Sequence, residues 1–225
     1  TTNGTHTYMA VTEKNLSYDP INDFTPISLV GSYGLLMVVN NALPVSNLQE
    51  FIQYARNNPG KLNYASSGMG SGLHFAGEVF KSMGKLEMTH VPYRGAGPAI
   101  TDLLGGQVDM IFGTAAAVSS FVESGKLRAL AVTASKRTDD LPQVPTVAES
   151  GIPGYDLTNT YTLYTHGGTP VATINALNRE VAQLLTDPEV RRKFLNDNST
   201  PASPRSPATT SRCRSSVSPS TTGSS

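Results

Sequence analysis

The sequence predicts an α/β fold of two lobes with mainly parallel sheets, and three observations carry that expectation. Strand-like and helix-like patterns alternate with short Gly/Pro punctuation, as in chains that join parallel strands through helical crossovers. Most strand candidates are short continuous apolar runs, the pattern of sheets covered on both faces. The 225 residues suffice for one large or two small domains with a real core.

The first strand candidate covers residues 35–39, and the clearest helix follows Pro44-Val45-Ser46. Ser46 is the expected cap with Gln49 as its box partner. Leu48, Phe51, Ile52 and Ala55 then fall on one face, and Asn58-Pro59-Gly60 stops the run. A second strand is expected at 62–65. It breaks into a Ser/Gly loop that feeds a helix with Leu73, Ala76, Phe80 and Met83 on one stripe and Gly84 at its end. A third helix starts at Pro98, carries Ile100, Leu103 and Leu104, and ends at Gly105-Gly106. Strands follow at 108–112, 127–133 and 161–164, then a helix at 174–185 and another from Asp187-Pro188 through Phe194 and Leu195. Residues 199–225 differ in kind: 22 of these 27 are Ser, Thr, Pro or Arg, and Val217 is the one large apolar residue. Such a segment buries too little surface to offset its ordering entropy, so it is expected to be disordered.

The stretch LNYASSGMGSGLHFAGEVF (62–80) is the most informative. Backbone N–H groups at a helix start have no intrahelical partner and sit at the positive end of the macrodipole. Ser66, Ser67, Gly68, Gly70, Ser71 and Gly72 therefore present donors to a negative group. A triphosphate loop would follow its last Gly with Lys and Ser/Thr, whereas Leu73 and His74 follow Gly72. Gly68, Gly70 and Gly72 give GxGxG, not a dinucleotide fingerprint, and Glu87 is a poor stand-in for its ribose-binding acid. No G-x-S-x-G elbow is present. The chemistry points to a carboxylate; a Ser/Gly turn of purely steric origin is the plain alternative.

Composition narrows the rest. Basic and acidic residues number 17 each, and three Arg lie in the 199–225 segment, leaving 14 basic against 17 acidic in the body. Neither a nucleic-acid face nor a polybasic membrane anchor is offered. The single cysteine, Cys213, makes no disulfide framework or thiolate metal cluster, and no apolar run reaches the length of a membrane span. His6, His74, His90 and His166 show no HxH or HExxH spacing, so no metal, no cofactor and no enzymatic constellation is expected.

Six stretches then resemble one family when read in order. They are YDPINDFTPISLV (18–30), PGKLNYASSG (59–68), HVPYRG (90–95), LLGGQV (103–108), GKLRALAVT (125–133) and VPTVAE (144–149). Together, over about residues 4–195, they resemble the Bug-type periplasmic receptors of tripartite tricarboxylate transporters. The resemblance implies a two-lobed, Venus-flytrap, type II periplasmic-binding-protein fold. It implies a monomer that captures a small di- or tricarboxylate, acidic amino acid or aromatic acid in the periplasm and delivers it to a membrane permease. A periplasmic carboxylate sensor acting on a signalling partner carries the same signature, and a carboxylate-processing enzyme is the third reading.

Two departures from the family stand out. A signal peptide and a first strand–loop–helix unit, which supplies half of the family's carboxylate cradle, are expected upstream of Thr1. The family's Thr-Pro-Glu-like turn and terminal helix give way to the Ser-rich tail, as a reading-frame shift near Asn198 would produce; an intact coding frame would refute that shift.

In a flytrap receptor the chain crosses between lobes twice, and 35–40 and 160–166 are the candidate crossing strands. Residues 1–40 and 160–198 then build one lobe and 41–159 the other, with the ligand between them at the carboxyl ends of strands. Loop 66–72 holds the carboxylate, with Ser71 as its side-chain donor and His74 one turn behind. Tyr93 precedes a second helix start, and Gly113 and Thr114 end a strand at the cleft edge. Thr160 lies at the return hinge. By the family resemblance, Thr5 in Gly4-Thr5-His6-Thr7 closes the cradle from the opposite lobe.

Overall fold

The computed structural model describes residues 16–20, 22–138, 141–196 and 199–202. The chain begins its regular structure with β1 (Phe24–Tyr33), turns at Gly34 and continues as β2 (Leu35–Asn40). Three strand–helix units follow: α1 (Leu48–Asn57) with β3 (Asn63–Ser66), α2 (Gly72–Gly84) with β4 (Thr89–Pro92), and α3 (Ala96–Leu104) with β5 (Met110–Thr114). Next come α4 (Ala115–Glu123), β6 (Leu127–Val132), β7 (Asn159–His166), α5 (Val171–Leu184), α6 (Pro188–Asn196) and β8 (Ser199–Pro201).

These elements form two sheets. One has the order β4-β3-β5-β2-β6 and the other β7-β1-β8. The larger sheet is buried on both faces. Leu35, Met37 and Val39 of β2 point to a core shared with Phe51, Tyr64, Phe80 and Phe112, while Leu36 and Val38 point to one shared with Ala99, Leu103, Ile111 and Val118. Helices α1 and α2 thus cover one face, and α3 and α4 the other. Gly77 brings α2 close to the sheet: a Cβ there would lie 2.1 Å from the buried ring of Tyr64.

The α/β class stands, but strand direction is mixed. β3 runs parallel to β4 and β5, whereas β2 is antiparallel to β5 and β6, and β1 is antiparallel to β7 and β8. A continuous apolar run reports burial of both faces, and burial is indifferent to direction. The expected crossing strand at 35–40 lies wholly within the five-stranded sheet; the chain changes sheets at Gly34 and returns just before Asn159. Thr133 ties the two passages together. Its Oγ1 accepts from the Leu35 N–H at 2.8 Å and donates to the Leu157 carbonyl at 3.0 Å.

Other expectations shift locally. Asn47, not Ser46, caps α1: its Oδ1 accepts from Glu50 N–H at 2.9 Å while the Glu50 carboxylate accepts from Ser46 N–H at 2.7 Å. This frame places a charged carboxylate at the helix start, which Gln49 cannot supply. Met83 turns outward, and Gly84 takes the buried place beside Leu86 and Ile152. β1, β4 and α4 are elements the hydrophobic pattern did not announce. Finally, the tail expected to be disordered from Ser199 opens with β8, which pairs with residues 31–33 of β1 and carries buried Ala202 behind it. The open edge of β1 supplies ladder hydrogen bonds that polar residues accept as readily as apolar ones. From residue 203 the tail lies outside the described residues, as does Thr5.

Candidate functional site

Parallel pairing of β3 with β4 and β5 brings three strand ends to one edge of the five-stranded sheet. Ser66 ends β3 beside Pro92, and Thr114 ends β5. β2 enters at that same edge, Leu35 opposite Thr114. The loops at 67–71 and 93–95 and the β5–α4 junction therefore gather where the chain passes to the other sheet, the place where open α/β sheets bind ligands.

The loop at 67–71 is held by its own polar groups. Ser66, fully buried, accepts from Gly68 N–H at 3.1 Å, and its hydroxyl lies 3.0 Å from the Gly68 carbonyl and 2.7 Å from His90 Nε2. One proton arrangement satisfies all of them: His90 donates to Ser66, whose hydrogen goes to the Gly68 carbonyl. Ser71 caps α2, accepting from His74 N–H at 3.2 Å and donating to the Gly68 carbonyl at 2.7 Å. Gly70 N–H donates to His74 Nδ1 at 3.2 Å. Gly68 and Gly70 have φ of 132° and 73°, conformations that side chains rarely adopt, so the glycines are required by the bend itself.

The expected donors fall into two groups. The N–H groups of Gly68, Gly70 and Ser71 and the hydroxyls of Ser66 and Ser71 are engaged inside the loop. Within the described residues, the N–H groups of Ser67, Gly72 and Leu73 have no acceptor, the last two being the first residues of α2. No lysine or arginine occurs between positions 66 and 72. An anion here meets fixed amide dipoles at a helix start, and the loop itself carries no cation.

A column of side chains stands behind the loop. His74 and His90 stack, and His90 stacks in turn on Tyr64 at 4.9 Å between centroids. The Tyr64 hydroxyl donates to Glu78 at 2.6 Å, and Lys81 binds the same carboxylate at 2.8 Å. Burial lowers the basicity of both imidazoles. For His90 burial leads, the positive form of His74 adds to it, and the pKa falls from the usual 6.5 to about 4. For His74 burial outweighs the attraction of Glu78. His74, expected as a ligand contact, holds Gly70 through Nδ1 as a neutral acceptor.

Tyr93 packs beside the loop, its N–H donating to the Ser66 carbonyl at 3.0 Å and its hydroxyl to Asp102 at 2.7 Å. Gly113 is buried against Val118, leaving no room for a Cβ, and Thr114 occupies the N-cap position before α4 without a side-chain cap bond. Thr160 pairs with Ser32 in β7. One residue sequence reasoning passed over is Asn159, the first of β7. It is 2% exposed, its Oδ1 lies 3.6 Å from where a Cβ on Gly72 would stand, and its Nδ2 has no partner within the described structure. An asparagine heading an otherwise β-prone run was the available signal.

The family model described as "Tripartite tricarboxylate transporter family receptor" (TctC) matches residues 2–212. The chain belongs to that family. Among solved structures, this TctC-family chain is similar to R. palustris Rpa4515 with adipate, with 35% identity and a TM-score of 0.82 over 91% of this chain and 69% of that one. It is also similar to MatC (Rpa3494) from Rhodopseudomonas palustris with bound malate, at 30% identity and a TM-score of 0.77, covering 88% and 68% of the two chains. Protein BugT of Bordetella pertussis is 33% identical over 187 residues, 83% of this chain and 57% of BugT. The chain spans little more than half the length of the curated relatives it matches. The expected Bug-type membership and type II binding-protein fold are thereby shown, and no helix among the described residues is long and apolar enough to cross a membrane.

Proposed function

We propose that this TctC-family chain is an extracytoplasmic solute-binding receptor that captures a small carboxylate in the periplasm and presents it, unchanged, to a transporter permease. The observation that carries this reading is the set of acceptor-free N–H groups at Ser67, Gly72 and Leu73, on a cation-free loop at the edge shared by three strand ends. Each charge-assisted hydrogen bond contributes about 1.5–3 kcal/mol, so three or four of them support micromolar affinity, which needs about 8 kcal/mol. The likeness to proteins solved with adipate and with malate supports a dicarboxylate as the first ligand to try. The two sheets act as parts of two lobes joined at Gly34 and before Asn159, and ligand favours their closed arrangement.

Calorimetric titration of the purified chain with adipate, malate, citrate, glutamate and benzoate, each beside its amide, tests this reading. Micromolar binding of at least one acid and none of its amide is expected. A chain that binds no acid in the panel, while its circular dichroism shows it folded, refutes the proposal.

A further inference from the structure

We infer that Asn159 is a specificity-determining donor that reads the bound anion from the second sheet. This rests on the carboxylate reading of the α2 start and adds a group from outside the loop to it. Three observations meet at this side chain. Asn159 is 2% exposed, its Nδ2 has no partner within the described residues, and its carboxamide stands beside Gly72, the oxygen 3.6 Å from where a Cβ there would lie, while the Gly72 N–H has no acceptor. A carboxamide can donate two hydrogens through Nδ2, and burying that group unpaired is unfavourable unless something else supplies an acceptor. An anion seated on the Gly72 and Leu73 N–H groups supplies one once the carboxamide makes a half-turn about its last torsion, which brings Nδ2 to the place beside Gly72 that Oδ1 holds.

The location gives the contact its meaning. Asn159 opens β7 and stands opposite Tyr33 in the β1–β7 ladder, at the point where the chain returns from the five-stranded sheet. Gly72 opens α2, which packs on the five-stranded sheet. A carboxylate between them is thus held from both sheets at once, so occupancy is coupled to their relative position. A donor at this point favours a carboxylate oxygen and disfavours an ammonium group, which would leave two sets of N–H hydrogens facing each other.

Two substitutions test this in the full chain, with adipate and malate as probes. Asn159→Leu keeps the volume and removes the buried unpaired amide; its melting temperature without ligand is expected to equal or exceed that of the parent, while affinity falls about tenfold or more. Asn159→Asp sets a carboxylate against the ligand and is expected to weaken binding about a hundredfold or more. A purely structural asparagine would behave otherwise, since its removal lowers the melting temperature. A destabilised or unfolded Asn159→Leu, or affinities of both variants within about twofold of the parent, overturns the inference and leaves the carboxylate reading intact. A folded parent that binds neither these probes nor any other acid in the wider panel overturns both.

Discussion

His74 and His90 stack beneath the loop with ring centroids 4.1 Å apart and their planes inclined by 23°. Each ring is also held at one nitrogen, His74 Nδ1 by Gly70 N–H and His90 Nε2 by Ser66 Oγ. Tyr64 faces His90 from β3, while Glu78 and Lys81 flank His74 along α2. The pair is therefore built for two neutral rings: a proton on His74 Nδ1 would oppose the Gly70 N–H, and two imidazolium rings at this spacing would repel.

A pH dependence of stability follows. Both histidines bind protons less readily folded than unfolded, His90 with a folded pKa of about 4 against the usual 6.5. The unfolded chain thus takes up protons first as pH falls. The stabilisation is fully present above about pH 6.5 and is lost progressively between 6.5 and 4. Melting temperatures measured from pH 7.5 to 4 should fall across that window, and His90→Gln, which keeps a partner for Ser66, should flatten the fall. A profile identical in parent and variant would show that the pair is not the titrating unit.

Gly72→Pro tests the cradle by deleting one donor while keeping the helix. Proline is favoured at the first helical position, and the preceding Ser71, at φ −70° and ψ 158°, already has the conformation that a following proline requires. The nearest atom to the new Cβ is Asn159 Oδ1 at 3.6 Å, an ordinary contact. An unchanged melting temperature with about tenfold weaker carboxylate binding is expected, one charge-assisted bond being worth about 1.5–3 kcal/mol. Unaltered affinity would remove the Gly72 N–H from the site.

Thr133→Val measures the tie between the two passages from sheet to sheet. The isosteric change takes away the acceptor of the Leu35 N–H and the donor to the Leu157 carbonyl in a fully buried place. A loss of about 1–3 kcal/mol is expected in chemical denaturation. Stability equal to that of the parent would mean that the hydroxyl bonds add nothing there.

Gly77→Ala should destabilise the chain more than any helix-propensity gain repays. The added methyl meets the Tyr64 ring at 2.1 Å, and that ring is fully buried. Overpacking of this kind costs about 1–3 kcal/mol, which for a chain of this size lowers the melting temperature by about 2–4 °C per kcal/mol. Gly77→Ala combined with Tyr64→Leu should recover part of the loss. A neutral single variant would indicate that α2 can shift away from β3.

The sequence by itself determined the type of those elements whose apolar pattern was unbroken or plainly periodic. The stripe of Leu48, Phe51, Ile52 and Ala55 marked α1, and the unbroken LLMVV marked a strand covered on both faces. It also located the Ser/Gly bend before α2, because such bends need glycine where φ is positive and leave N–H groups open at the helix start. Strand direction was beyond it, since a doubly buried strand has the same composition whether parallel or antiparallel. The division of donors within the bend, with Gly70 held by His74 and Gly72 left open, required knowing where the side chains turn back. Most of all, the meeting of Asn159 with Gly72 joins residues far apart in the chain, and only the tertiary return of β7 beside the start of α2 creates it. Local pattern encodes local burial and backbone freedom; contacts closed by long loops are encoded only in the packing of the whole.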